Sequence, residues 1–132
     1  MTAVRRNLLA VVLLAGLGAC ATDGGGSAPT DLGLSPAGEA GWQLAREKGC
    51  ASCHGSNGEG GIGPAFAGLY GRQVELQDGT TVVADEAYLT RSIKDPNADK
   101  VAGYNLPMPQ TNLSDAELAS ILDYLRDLGN DE

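Results

Sequence analysis

Cys50-Ala51-Ser52-Cys53-His54 is the stretch of this chain whose residue types and spacing can do chemistry. Two thiols three positions apart can each add to one vinyl group of a single porphyrin, the attachment pattern of a covalently held haem. The next residue, His54, then lies under the iron and can offer it an imidazole nitrogen. It is the one histidine of the chain, so no second imidazole competes for that place. The one methionine beyond the initiator is Met108, in Leu106-Pro107-Met108-Pro109. Imidazole on one side and thioether on the other fill both axial positions of a haem iron, which suits electron transfer. A lone methionine is ordinarily a gap-filler in a core. Here Pro107 and Pro109 exclude a helix interior and argue for a stiff loop presenting one side chain.

Rival uses of the two thiols are weaker. In an oxidising compartment Cys50 and Cys53 could form a disulfide, but closing so short a loop removes little chain entropy. A thioredoxin-like redox role lacks a matching βαβ pattern. A zinc site wants four well-spread ligands, and adjacent Cys53 and His54 have no fourth partner. The glycine-rich run 55–63 is not a phosphate cradle, because it lacks a Lys-Ser/Thr ending and follows a histidine rather than a strand.

The 132 residues hold one small domain, and the amino terminus reads as an export signal. Arg5 and Arg6 precede an apolar run from Asn7 to Ala19, too short for a confident membrane span. Leu17-Gly18-Ala19-Cys20 resembles the lipobox of bacterial lipoproteins, in which Cys20 would become the lipidated first residue. Ordinary cleavage at Ala19-Cys20-Ala21 would discard Cys20 instead. Both routes export the protein. Residues 20–34 then form a lipidated cysteine and a Gly/Ser/Thr/Pro linker, reaching about 20 Å on average and about 50 Å at full extension. The folded domain is expected over 35–132.

The formal net charge is −8, and loss of the two leader arginines makes it more acidic still. Nucleic acid is excluded as a partner, since phosphate binding needs a basic footprint. An acidic carrier would be drawn to a positive docking surface in a salt-dependent way, although acid also simply keeps an exported domain soluble.

The elements that must position the chemistry are mostly helical. Ser35 as N-cap and Pro36 at the first position start a helix that runs through Gly41, Trp42, Leu44 and Ala45 and stops at Gly49. A middle helix spans about Asp85 to Lys94, with Leu89 and Ile93 inward and Asp95-Pro96 as its stop. The last begins with a Ser114/Glu117 capping box and a Leu113/Leu118 staple. Leu118, Ile121, Leu122, Leu125 and Leu128 share one face before Gly129. Between the first two lies a hairpin, Val74–Gln77 and Thr80–Val83, with Asp78-Gly79 supplying positive φ angles for a tight turn; it must lean on the helical body. Aliphatic residues are few for such a domain, so haem would complete the core and folding would be coupled to its capture.

Taken together, Gly41 through His54, then Gly63-Pro64-Ala65-Phe66 through Arg72, resemble a class I cytochrome c. Val74–Thr80, Asp85–Leu89, Ser92-Ile93, Asp95–Ala98, Gly103–Asn105 and Met108-Pro109 make the chain similar to the cytochrome c domain fused to subunit II of some haem–copper oxidases. The resemblance covers about residues 38–128 and implies a class I fold, three main helices around one covalent haem with a small hairpin insertion. With one histidine and no copper-ligand cluster, the chain matches that module alone. The resemblance further implies that Pro64 accepts a hydrogen bond from His54, that Arg72 pairs a propionate, and that Tyr104 or Asn105 bonds near Met108 or a propionate. Pro64, Tyr104 and Asn105 are equally ordinary turn formers, and Arg72 an ordinary surface charge. Gly41 is expected to let the last helix approach near Tyr124. Ala45 stands where an aromatic is usual, with Trp42 as the neighbouring ring.

The expected protein is a one-electron carrier and not an enzyme. The alternative, a haem enzyme or a gas- or peroxide-binding sensor, needs an open iron position and a distal acid–base group, for which no second histidine exists. Expected partners are a quinol-oxidising complex or periplasmic dehydrogenase as donor, and a terminal oxidase or another reductase as acceptor. The resemblance favours the oxidase.

Overall fold

A computed structural model describes residues 32–129; the expected export signal, Cys20 and the linker up to residue 31 lie outside them. The order is α1 (Pro36–Glu47), α2 (Ala51–His54), β1 (Gln73–Glu75), β2 (Thr81–Val83), α3 (Glu86–Lys94) and α4 (Asp115–Asp127). The domain is mostly helical with one small antiparallel sheet. No helix of the described residues is long and apolar enough to cross a membrane.

Each long helix begins where a side chain can satisfy its orphan N–H groups. Ser35 accepts from Gly38 N–H, Asp85 from Tyr88 N–H, and Ser114 from Glu117 N–H while Glu117 reaches back to Ser114 N–H. Gly49, at φ +83°, turns the chain out of α1 directly into the cysteine turn.

Helices α1 and α4 form the frame. Lys48 bonds Glu117 at 2.6 Å, and Asp127 accepts from both the N–H and the hydroxyl of Ser35 at 2.8 and 2.6 Å. Between these ties the backbones touch at Gly41. A Cβ there would lie 1.9 Å from the Ser120 carbonyl oxygen and 2.9 Å from Tyr124 Cβ, so only glycine permits the crossing. Leu118, Ile121, Leu122, Leu125 and Leu128 are all buried along α4, each burial stabilising by roughly 1.5–3 kcal/mol in gross terms. Ala45, Tyr124 and Leu128 form a second, smaller cluster against which Trp42, Leu32 and Leu34 pack. The end of the stretch expected as linker therefore belongs to the packed body.

The hairpin pairs Val74 with Val82 and Glu75 with Thr81. Its turn corrects the expected one. Only Gly79 is left-handed, at φ +83°; Asp78 is not. Gly79 N–H donates to Leu76 C=O at 3.0 Å, and Asp78 accepts from both Thr80 N–H and its hydroxyl. That is a longer loop with one left-handed glycine, because the Asp78 carboxylate stabilises the turn without itself adopting positive φ. Val74 and Leu76 enter the main core beside Leu89 and Leu122. The open edge binds the chain ahead of Met108: Gln77 N–H donates to Lys100 C=O at 2.8 Å, Ala102 N–H to Glu75 C=O at 2.9 Å, and Leu76 bridges Val101.

Candidate functional site

The short helix α2 carries Cys53 and His54 one turn after Gly49, with Cys50 at its N-cap. Both thiols are free and partly buried, and burial pushes the Cys50 thiol up, keeping it protonated. His54 is 8% exposed. Burial holds its imidazole below the usual histidine range, against the opposing pull of the Pro64 carbonyl 2.7 Å from Nδ1. A carbonyl can only accept, so Nδ1 carries the proton and donates, leaving Nε2 with its lone pair. The ring is neutral and oriented, the state a metal ligand requires.

The glycine-rich run wraps this turn. Gly60 N–H donates to His54 C=O at 2.7 Å, Gly63 N–H to Cys53 C=O at 2.9 Å, and Phe66 N–H to Gly58 C=O at 2.7 Å. A Cβ at Gly63 would stand 2.9–3.2 Å from three atoms of the His54 ring, so the loop can close on the imidazole only through glycine. Phe66 then stacks on that ring, centroids 4.3 Å apart at 18°, and meets Tyr124 edge-on at 6.1 Å. Burial, and secondarily the charge of Glu59, push the Tyr124 hydroxyl up to about 12. It stays a neutral phenol behind the site.

The second candidate ligand is carried by the loop of Met108. Gln77 Nε2 donates to Tyr104 C=O at 2.8 Å, and Gln110 Nε2 to Lys94 C=O at 3.2 Å, so hairpin and α3 hold its two ends. Between them, residues 105–113 make no backbone–backbone hydrogen bond among the described residues.

Both sides open onto one cavity of about 720 Å³, within the range of roughly 300–1,000 Å³ usual for ligand and cofactor sites. Cys50, Cys53, His54, Pro64, Arg72, Tyr104 and Met108 all line it, as do Leu89, Ile121 and Leu125 from the core. Every expected site residue in the described part is thus at one place. Tyr104 and Met108 are half-buried. Arg72 is exposed at the rim and, among the described residues, forms no ion pair. Cys20 lies outside the described residues.

The lining suits a largely apolar group with polar edges: it carries free thiols, an oriented imidazole and a thioether, together with Arg72 and Lys100, which form no ion pair among the described residues. Among the cavity-lining residues, Ser92 has a buried hydroxyl with no partner among the described residues. Sequence reasoning gave Ser92 and Gln77 no role, and nothing in a local pattern marks them, because both depend on segments distant along the chain. Phe66 stands in the sequence only within the motif that carries the resemblance, and nothing there marks it as the ring stacked on His54.

A small helical domain that gathers these groups around one apolar cavity belongs to the class that houses a planar prosthetic group. The chain is a member of the cytochrome c family, whose model matches residues 38–129. A comparison with curated proteins found no match. The family binds haem c covalently through a Cys pair and transfers electrons with it, and Cys50 and Cys53 supply that pair here.

Proposed function

We propose that this chain is a monohaem one-electron carrier, tethered through lipidated Cys20 to the periplasmic side of a bacterial membrane, that donates to a terminal oxidase or another respiratory reductase. The observation that carries the proposal is the convergence of Cys50, Cys53, His54 and Met108 on one apolar cavity, with the His54 ring already oriented by Pro64 at 2.7 Å. Bound haem supplies an iron that changes oxidation state by one electron, at a potential set by its axial ligands and surroundings.

The chain's own residues do the rest. Cys50 and Cys53 anchor the group so that it is not lost outside the cell. His54 offers Nε2, and Pro64 fixes the ring's orientation. Met108 offers a soft, neutral sulfur that favours the reduced metal. Arg72 at the rim can pair a propionate bidentately, and Tyr104 is placed to bond nearby. The apolar walls, with Leu89, Ile121 and Leu125, exclude water and so limit reorganisation when charge changes. Membrane attachment rests on the lipobox, since no described helix is long and apolar enough to span. A quinol-oxidising complex or a periplasmic dehydrogenase is the proposed donor.

The test is full-length protein co-expressed with a cytochrome maturation system. Haem that survives acid-acetone extraction and a six-coordinate low-spin spectrum, lost in Met108→Ala, are expected. Extractable haem would refute covalent attachment through Cys50 and Cys53, and rapid binding of carbon monoxide by the reduced native protein would show an open iron and sink the electron-carrier assignment. Globomycin-sensitive processing and membrane fractionation lost in Cys20→Ala check the tether.

A further inference from the structure

Two contacts act on the His54 ring in different ways. The Pro64 carbonyl, 2.7 Å from Nδ1, pins one edge and fixes which nitrogen carries the proton. It restrains the ring plane only loosely, because a hydrogen bond tolerates bending to about 150° and χ2 of a histidine is intrinsically soft. Phe66 supplies the missing restraint. Its ring lies nearly parallel to the imidazole, centroids 4.3 Å apart and planes inclined by 18°, so a swing toward it meets a flat wall. The wall is itself braced. Phe66 N–H donates to Gly58 C=O at 2.7 Å, and Phe66 C=O accepts from Leu69 N–H at 3.0 Å. Gly58 comes so near that a Cβ there would stand 2.9 Å from Phe66 Cβ. Behind, the ring meets buried Tyr124 of α4 edge-on at 6.1 Å. Phe66 packs against both core clusters and also lines the cavity. A branched aliphatic could supply the same bulk; it could not give a planar ring a flat stop.

We infer that Phe66 is a positioning residue that sets the plane of the His54 imidazole. This rests on His54 ligating a haem iron and is independent of which group binds the other side. A neutral imidazole donates π density perpendicular to its own plane. That plane therefore selects the iron orbital that is half-filled in the ferric state and refilled when an electron arrives. By holding it, Phe66 decides over which part of the porphyrin the missing electron is spread, and so the direction in which charge enters and leaves.

The experiment uses the ferric cyanide adduct of the holoprotein. Cyanide is cylindrical, so the order and spread of the haem methyl proton shifts report the histidine plane alone. Parent, Phe66→Leu, Phe66→Tyr and Leu122→Ala are compared, each well below its own melting temperature. Phe66→Leu is expected to reorder the shifts and narrow their spread, because the ring swings. Phe66→Tyr keeps the flat face and is expected to reproduce the parent. Leu122→Ala truncates a buried side chain outside the cavity lining, and should lower the melting temperature while leaving the shifts in place. Parent-like shifts in Phe66→Leu refute the inference. So does a Leu122→Ala pattern as altered as that of Phe66→Leu, which would mean general loosening. A Tyr variant that melts with the parent but shifts like Leu refutes it too. His54 is the one histidine of the chain, so isotope-labelled histidine tests ligation separately. A hyperfine-shifted imidazole nitrogen is expected in the parent; its absence overturns the ligation itself, and this inference with it.

Discussion

The two sides of the cavity are built in opposite ways. The His54 side is made of residues 50–66, closed by backbone hydrogen bonds over short separations, with the ring held at its edge by the Pro64 carbonyl and covered on one face by Phe66. The Met108 side hangs between two distant supports, Gln77 in the hairpin turn and the end of α3. Its central segment carries two prolines and makes no backbone hydrogen bond among the described residues. On the ligation proposed above, local closure makes His54 a rigid ligand, and remote suspension makes Met108 one that can leave without the frame unfolding. For a carrier, that assigns permanence to attachment and tunability to the sulfur.

The comparison is broken most severely on the rigid side. Cys50→Ala combined with Cys53→Ala should abolish covalent haem altogether, read as loss of haem stain on a denaturing gel. In rising urea the intact holoprotein should lose its ferric iron–thioether band before Trp42 fluorescence reports separation of α1 from α4. Coincident transitions would mean the two sides are equally stable.

Next in size is the frame they share. Gly41→Ala forces a methyl against the Ser120 carbonyl and should cost about 3 kcal/mol by overpacking, checked by urea denaturation. Gly63→Ala presses a methyl on the His54 ring and should cost about 1–2 kcal/mol, with a shift in the Soret band that Gly41→Ala lacks. The smallest structural change is Gln77→Ala, which removes one exposed hydrogen bond to Tyr104 C=O. It should cost about 0.5–1 kcal/mol and speed sulfur displacement by imidazole without altering the Soret band.

Acid should act elsewhere again. Hydrogen bonds from Lys48, then Ser114, hold the Glu117 carboxyl at about 2. A folded value below the unfolded one means its contribution is complete above the ordinary carboxylate range and is lost as pH falls toward 2. Glu117→Gln should therefore flatten the acid limb of the melting profile between pH 5 and 2 while leaving the ferric spectrum at pH 7 unchanged.

Much of this architecture is legible in the sequence. Ser35, Asp85 and Ser114 cap their helices as their types require, and the apolar spacing of α4 names the face it buries. Gly41 was readable as a crossing point only through resemblance, since a glycine in a helix says nothing by itself about what approaches it. The Asp78-Gly79 pair announced a hairpin but not its turn, because the Asp carboxylate bonding Thr80 offers an alternative to positive φ. The body on which the hairpin leans proved to include the Met108 loop, through pairs such as Gln77 with Lys100, which no local pattern encodes.

What the chain of residues determined alone is chemistry of short range: the thiol spacing, the lone imidazole beside it, the lone sulfur between prolines, the caps and the buried stripe. These depend on a few adjacent bonds and on helical period, so neighbours suffice to specify them. Tertiary structure alone decided that Met108 and His54 line one cavity, and that Gln77 in the hairpin turn and the end of α3 tie down the loop of Met108. Each brings together segments far apart in sequence, chosen when the chain buries its apolar surface as a whole.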